Sequence, residues 1–460
     1  MSIKNIPSKH LLYMTLILIL HIALAFILDL PIYIGIIASI LYVFYIAIRY
    51  GYKAKELLLL YKDSLKTVRI VLCMLILISA ILPLWMASGT LPTLIHYSFI
   101  YLSELNVPLA AFLISTILSL MLGTFIGTLS ILGPLFMSLS VGLHIPPALI
   151  ASALISGSVI GDRLSPISSN FHLICASCGA EINKTMLALI KTNGLAFVIT
   201  CLFYFAAGQR YQLDFSGRQN IQHVLHLLDT HFTIHYLMIL PIILLLLMII
   251  SKQVAIVLSF FITFIASLAS YIIVGLDASG LPSLIIKGYH PTIEALHHLI
   301  SGSGILSMIA VPIIILLSAY LNDLLKYTHL MTHALYSFTS KDMTTRAMYH
   351  RTALLSAIVT IISCNQSLTA IITGQHFQPF FDKKAIDRSL LARTIADTGS
   401  LIITIIPWNL NAVVSASITG VTTLTYAPYM IYVYALLAIT IGFPLFLSDF
   451  ETMSVEKTTL

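Results

Sequence analysis

Long apolar runs recur along this chain, as at 235–250 and 254–275, and they decide which solvent it folds in. A spanning helix needs about 20 mainly apolar residues, and hydrocarbon leaves only helices or closed barrels as spanning solutions. The runs are continuous and do not alternate every second residue, so they specify helices and exclude a barrel. Charge agrees with this. Lys and Arg number 24 and Asp and Glu 18, so 9% of the 460 residues are charged, against roughly 25% in a soluble domain. With a mean hydropathy of +0.98, a soluble enzyme, a disordered scaffold and a disulfide-stapled secreted domain are excluded. The length holds about 10–13 spans. The predicted fold is an all-α polytopic membrane protein, a single integral domain over 1–460.

The few charges report orientation. Arg49, Lys53, Lys55, Lys62, Lys66 and Arg69 crowd the segment 49–69 against Glu56 and Asp63, which marks that loop as cytoplasmic. A hairpin of spans at 10–28 and 31–48, turning at Asp29-Leu30-Pro31, then puts the N-terminus in the cytoplasm too. Ala23-Leu24-Ala25 imitates a signal-peptide cleavage site, but its apolar core is too long, so a retained helix is expected. Further spans read at 68–87, 93–104, 108–122, 126–141, 146–160, 186–207, 235–250, 254–275, 305–321, 350–373, 399–419 and 427–448. The most polar connections are 208–234, 276–304 and 322–349.

Cys73, Cys175, Cys178, Cys201 and Cys364 lie in or beside apolar segments. Cys175-Ala-Ser-Cys178 has the spacing of a metal half-site but no second pair, and reads as two small residues one turn apart on a buried helix. His223, His226, His231 and His235, like His297 and His298, read as interfacial histidines without a completing carboxylate or thiol. No cofactor is expected. The net charge of +6 sits in short loops and is no nucleic-acid signal.

Two interrupted apolar segments carry the functional information. Gly123-Thr124-Phe-Ile-Gly127-Thr128-Leu-Ser130-Ile-Leu-Gly133-Pro134 is followed, 39 residues after Gly123, by Asp162 in Gly161-Asp162-Arg163-Leu164-Ser165-Pro166. Ser363-Cys364-Asn365-Gln366-Ser367-Leu-Thr369 is followed, 34 residues after Ser363, by Asp397 in Arg393-Thr394-Ile-Ala-Asp397-Thr398-Gly399-Ser400, which runs into Pro407-Trp408-Asn409. Matching broken helices in two halves point to the binding site of a repeat-built secondary transporter. Packing glycines are the plainer alternative.

An ionisable residue at membrane depth is costly and therefore a functional candidate. Asp162 stands among Ser158, Ser165, Ser168, Ser169 and Asn170, and Asp397 among Thr394, Thr398, Ser400, Thr404 and Asn409. Na⁺ is held by such oxygens, and one carboxylate that takes either H⁺ or a cation suffices for exchange. The predicted site joins Asp162 and Asp397, as Na⁺ ligands if sodium is the coupling ion, with Ser165, Ser168, Thr128, Thr398 and Asn409. Arg163 and Arg393 stand ready to meet an organic anion. Against this, Arg393 and Asp397 are spaced for an intrahelical pair, and Asp162 and Arg163 for an interfacial one. His172 reads as a helix-end histidine, and Lys184 and Lys191 as snorkelling from one span's end. An intramembrane aspartyl protease is a remote alternative: its Gly-x-Gly-Asp is here Val159-Ile160-Gly161-Asp162. An ion channel would need a filter loop that the sequence does not show.

These motifs, from Gly-Thr-x-x-Gly-Thr at 123–128 through Gly161–Pro166 to Arg393–Asn409, resemble the NhaC family of bacterial Na⁺/H⁺ antiporters and malate/lactate-type exchangers, over roughly 110–430. The resemblance implies two inverted-topology repeats, 65–207 and 235–448, with re-entrant or broken helices and a midplane site. Two departures stand out. Where well-known members continue their Gly-Asp-Lys-Met-Ser-Pro stretch with Leu-Ser-Asp-Thr-Thr-Asn, this chain has Ile167-Ser168-Ser169-Asn170-Phe171-His172. The acidic residue that commonly precedes the second Asp is Ala396. The expected function is a non-enzymatic antiporter in the bacterial inner membrane that exchanges H⁺ for Na⁺ or another monovalent cation. The alternative is an exchanger of small organic solutes, dicarboxylate, lactate or amino acid, coupled to H⁺ or Na⁺. Its partners would be those solutes and the lipid bilayer, with a homodimer left open.

Overall fold

A computed structural model describes residues 6–7, 9–28, 30–31, 33–211, 215–251, 254–291, 293, 296, 302–306, 309–330, 343–363 and 365–442. Asp29, Cys364, His297 and His298 lie outside these residues. The chain is an all-α polytopic membrane protein. The strand among the described residues is a two-residue antiparallel pair, Gly288–Tyr289 (β1) with Gly302–Ser303 (β2). Among the described residues, five helices are long and apolar enough to cross a membrane, three bent helix pairs qualify together, and four shorter helices are apolar.

The first hairpin forms as its turn requires, α1 (Lys9–Ile27) against α2 (Tyr33–Arg49). After α3 (Ala54–Leu59), α4 (Tyr61–Ala87) crosses the bundle. α5 (Thr90–Leu102) turns by 116° into α6 (Val107–Leu122), whose N-cap Asn106 accepts from the Leu109 N–H at 3.2 Å.

The first break then falls where sequence places it. Gly123 takes φ +66°, and Thr124 caps α7 (Phe125–Gly142) by accepting from the Gly127 N–H at 3.2 Å. A short turn leads to α8 (Pro147–Leu164), and a second break at Ser165–Ser168 precedes α9 (Ser169–Cys178). α10 (Ile182–Gly208) follows, 27 residues or about 40 Å long. The connection 208–234 is mostly helical: α11 (Phe215–His231) buries Ile221, Val224 and Leu228 and exposes His223, His226 and His231. α12 (Leu240–Ser251), α13 (Ile256–Ile273) and α14 (Leu281–Lys287) come next. Between α13 and α14, the hydroxyl and N–H of Ser279 hold the Asp277 carboxyl below its usual range.

α15 (Ala310–Tyr327) is pinned to the α2–α4 region, with Ser64 Oγ donating to Asp323 at 2.5 Å and Tyr52 donating to the Thr328 carbonyl at 3.3 Å. The expected span 350–373 is two helices, α16 (Thr345–Ser363) and α17 (Gln366–Lys383). Asn365 Oδ1 caps the second, accepting from the N–H groups of Ser367 at 2.8 Å and Leu368 at 3.4 Å. α18 (Arg388–Asp397) stops at Asp397. The expected span 399–419 is likewise divided, into α19 (Gly399–Ile402) and α20 (Leu410–Thr419), before α21 (Thr423–Tyr426) and α22 (Ile431–Gly442).

α10 fixes the relation between the two broken hairpins, α6–α7 and α16–α17. Near its C-terminal end, the Phe205 carbonyl accepts from Asn106 Nδ2 at 2.8 Å, at the base of α6–α7. Near its N-terminal end, Lys184 lies 4.0 Å from Asp387 in the α17–α18 turn, and Gly179 lies against Gln378 and Arg388. The two hairpins therefore open toward opposite ends of the bundle, and their tips point toward each other.

α8 lies along α6 with no spacing side chains. A Cβ on Gly157 would sit 2.5 Å from the Phe112 carbonyl and 2.8 Å from the Thr116 nitrogen, and one on Gly161 would strike the Ser119 backbone. Ser119 Oγ also donates to the Ser158 carbonyl at 2.5 Å. Small residues four apart let helix backbones approach in lipid. Gly161→Ala should therefore lower the thermal midpoint in detergent by the equivalent of about 3 kcal/mol or abolish folding, because backbone cannot swing aside. Gly194→Ala, on the exposed face of α10 with nothing within 4 Å, should be neutral or stabilising by about 0.5–1 kcal/mol. Equal effects would refute this account of α6 and α8.

Candidate functional site

Asp162 is half-buried in the last turn of α8. Its Oδ2 accepts from Asn170 Nδ2 at 3.1 Å, across the break into α9, and from Gln366 Nε2 at 3.5 Å. The Phe125 backbone N–H also faces this carboxyl. Phe125 is the first residue of α7 and Gln366 the first of α17, so both hairpin tips present the start of a helix to one carboxylate. The positive end of a helix dipole favours an anion there. Asn170 Oδ1 and Gln366 Oε1 are buried without a hydrogen-bond partner, which leaves two amide oxygens beside the carboxylate. Carboxylate and amide oxygens are the donor set of a hard cation.

Asp397 is fully buried and lives in a different environment. Its Oδ1 accepts from Arg163, and also from Asn193 Nδ2 at 3.4 Å; its Oδ2 accepts from Thr192 Oγ1 at 2.7 Å. Arg163 donates its other terminal nitrogen to the Tyr432 hydroxyl at 3.3 Å, and that hydroxyl donates to Asn193 Oδ1. Arg163, Thr192, Asn193 and Tyr432 are each no more than 3% exposed. A closed polar network thus joins α8, α10, α18 and α22. Its ion pair replaces the pairing of neighbours read from the sequence: Arg163 turns away from Asp162 and crosses to Asp397. Arg393 is 2% exposed on the same helix as Asp397. With its oxygens so occupied, Asp397 is a poor half of an aspartyl-protease dyad.

The remaining predicted residues serve the breaks. Ser168 caps α9, accepting from the Phe171 N–H at 3.3 Å and donating to the Asp162 carbonyl at 2.6 Å. Ser165 donates to the Leu120 carbonyl at 2.8 Å, tying the break to α6. Thr128 donates to the Thr124 carbonyl at 2.8 Å within α7. Thr398 donates to the Thr394 carbonyl at 2.6 Å and meets Ser356 Oγ at 2.5 Å. Asn409 precedes α20, donates to the Thr360 carbonyl at 3.5 Å and leaves Oδ1 without a partner. None of their described hydrogen bonds reaches either carboxylate. His172 is exposed with Nε2 2.8 Å from the Pro166 carbonyl. At the two positions where the motif resemblance leads one to expect carboxylates, Ser169 is exposed at the start of α9 and Ala396 is buried. Cys175 and Cys178 are buried on α9, which packs on α17; no group of three or more His, Cys, Asp or Glu side chains able to hold a metal occurs among the described residues.

Sequence reasoning did not select Thr192, Asn193, Tyr432 or Gln366 for the site. The signal was present: Thr192-Asn193 is a polar pair inside an apolar span, and Gln366 opens the second broken segment.

The model of the family described as "Na+/H+ antiporter family" matches residues 7–186 and 174–446. The chain is 25% identical over 405 residues to the malate-2H⁺/Na⁺-lactate antiporter of Bacillus subtilis, covering 88% of this chain and 86% of that protein. It is 25% identical to the Na⁺/H⁺ antiporter NhaC of Alkalihalophilus pseudofirmus, with 78% of each chain covered. The arginine/ornithine antiporter ArcD of Halobacterium salinarum is 24% identical, over 77% of this chain and 74% of that one. The NhaC likeness read in the motifs is borne out.

Removing one partner of a buried ion pair strands the other charge, which costs about 3–5 kcal/mol, whereas removing both often costs little. Arg163→Met alone should markedly lower the thermal midpoint, and Arg163→Met with Asp397→Leu should restore much of it. A double variant no better than the single one would show that the pair does not hold these helices.

Proposed function

Because the chain belongs to the Na⁺/H⁺ antiporter family, we propose that it is a secondary antiporter exchanging H⁺ for Na⁺, with Asp162 as the group for which the two ions compete. The observation that carries this reading is the convergence of both hairpin tips on that carboxylate. Asp162 supplies the exchangeable negative charge, and Asn170 Oδ1 and Gln366 Oε1 supply neutral oxygens for a dehydrated cation. Asp397 holds α8 and α18 in place through Arg163 and does not carry ions. Irregular backbone at membrane depth is tolerated where it lines a cavity or is buried in protein, and both breaks adjoin this site.

The recurrence of hairpin, Asp-bearing helix and break supports two inverted halves, 65–207 and 235–448. The basic segment 49–69 puts the N-terminus in the cytoplasm of a bacterial plasma membrane. The organic-solute alternative draws on the malate/lactate relative, but it needs a cation or a helix start left free for the carboxylate. Arg163 spends both terminal nitrogens on Asp397 and Tyr432, and the starts of α7 and α17 already face Asp162, which favours the cation reading.

In proteoliposomes, an imposed Na⁺ gradient should drive H⁺ flux, and Asp162→Asn should reduce it to background while Asp162→Glu retains part. Lowering the pH on the Na⁺ side should raise the apparent KM for Na⁺ and leave the plateau unchanged, because H⁺ and Na⁺ occupy one carboxylate. Normal flux in Asp162→Asn, or no response to any monovalent cation, would refute the assignment.

A further inference from the structure

The charges around the hairpin tips set a limit on how many protons can be exchanged. In the two hairpins, α8–α10 and α18, the acidic residues are Asp162, Glu181, Asp382, Asp387 and Asp397. Glu181 is exposed and holds Lys184 at 3.0 Å, and Asp387 lies in the α17–α18 turn. Asp382 is fixed by two hydrogen bonds from Arg388, each 2.7 Å, at the far end of α17. That leaves Asp162 and Asp397 at the depth of the tips.

Only one of these two has room for an exchangeable ion. Protonating Asp397 would strand the Arg163 guanidinium, which stays charged in proteins, in a buried position without its partner. Such a charge costs several kcal/mol, and both Asp397 oxygens already accept hydrogen bonds. Asp162 makes no ion pair among the described residues, and its partners are neutral amides. His172, the other titratable side chain at this break, is exposed and directed to the Pro166 carbonyl.

From this arrangement, and resting on the exchange reading above, we propose that the protein exchanges one H⁺ for one monovalent cation and is therefore electroneutral. The carboxylate of Asp162 is neutralised equally by H⁺ or by Na⁺, so both loaded states carry the same net charge across the membrane.

The test uses the full-length protein in proteoliposomes, with Na⁺ gradients of known size, an internal pH dye, and membrane potential set by K⁺ and valinomycin. Flux should vanish when a tenfold Na⁺ gradient is opposed by about one pH unit, at every imposed potential. His172→Gln should leave that null point unchanged. A null point that moves with potential, or that moves in His172→Gln, would overturn the one-to-one proposal while leaving exchange intact. Absence of Na⁺-driven flux in the unaltered protein would instead remove the exchange reading and this proposal with it.

Discussion

Arg163 and Asp397 form an ion pair with both side chains almost wholly removed from water. Burying two charges is expensive, and their attraction compensates only when geometry is good and the remaining polar atoms find partners. Here Thr192, Asn193 and Tyr432 provide partners for both Asp397 oxygens and for an Arg163 terminal nitrogen, while the buried Arg163 Nε is left without one. The requirement fixes the register of four helices at once, since α8, α10, α18 and α22 must each bring one residue or more to the same point. By engaging Arg163, it also leaves the adjacent Asp162 with no basic partner among the described residues. The buried ion pair and the neutral surroundings of Asp162 are therefore products of one arrangement.

Two aspartates at similar places in two halves invite the assumption of equal roles. Their surroundings set them apart. Asp397 faces a guanidinium, a hydroxyl and an amide in the interior of the bundle, and Asp162 faces two amides and a helix start at a break in the backbone.

The sequence shows the membrane class, the breaks and the two aspartates because each follows from a local rule. Apolar run length marks spans, Gly123 and Asn365 mark helix interruptions, and an Asp in an apolar stretch is costly anywhere. Partner choice does not follow locally. Residues 163 and 397 pair across 234 positions, whereas spacing alone favoured Arg393 with Asp397 and Arg163 with Asp162. Tyr432 is one of 22 tyrosines, and nothing local to the Thr192-Asn193 pair says which distant carboxylate it meets. The Gly157 and Gly161 contact also escaped notice, because glycine spacing acquires meaning only when the facing helix is known.

That glycine contact has a mechanical consequence. With α6 lying directly on α8, and Ser165 and Ser119 adding hydrogen bonds across the seam, α6 and the Asp162-bearing end of α8 are locked together. The α16–α17 hairpin reaches the same carboxylate through Gln366 at 3.5 Å, and α17 lies as closely on α9, where a Cβ on Gly374 would sit 2.9 Å from the Ser177 carbonyl. Displacing either hairpin therefore drags the break between α8 and α9 along with it.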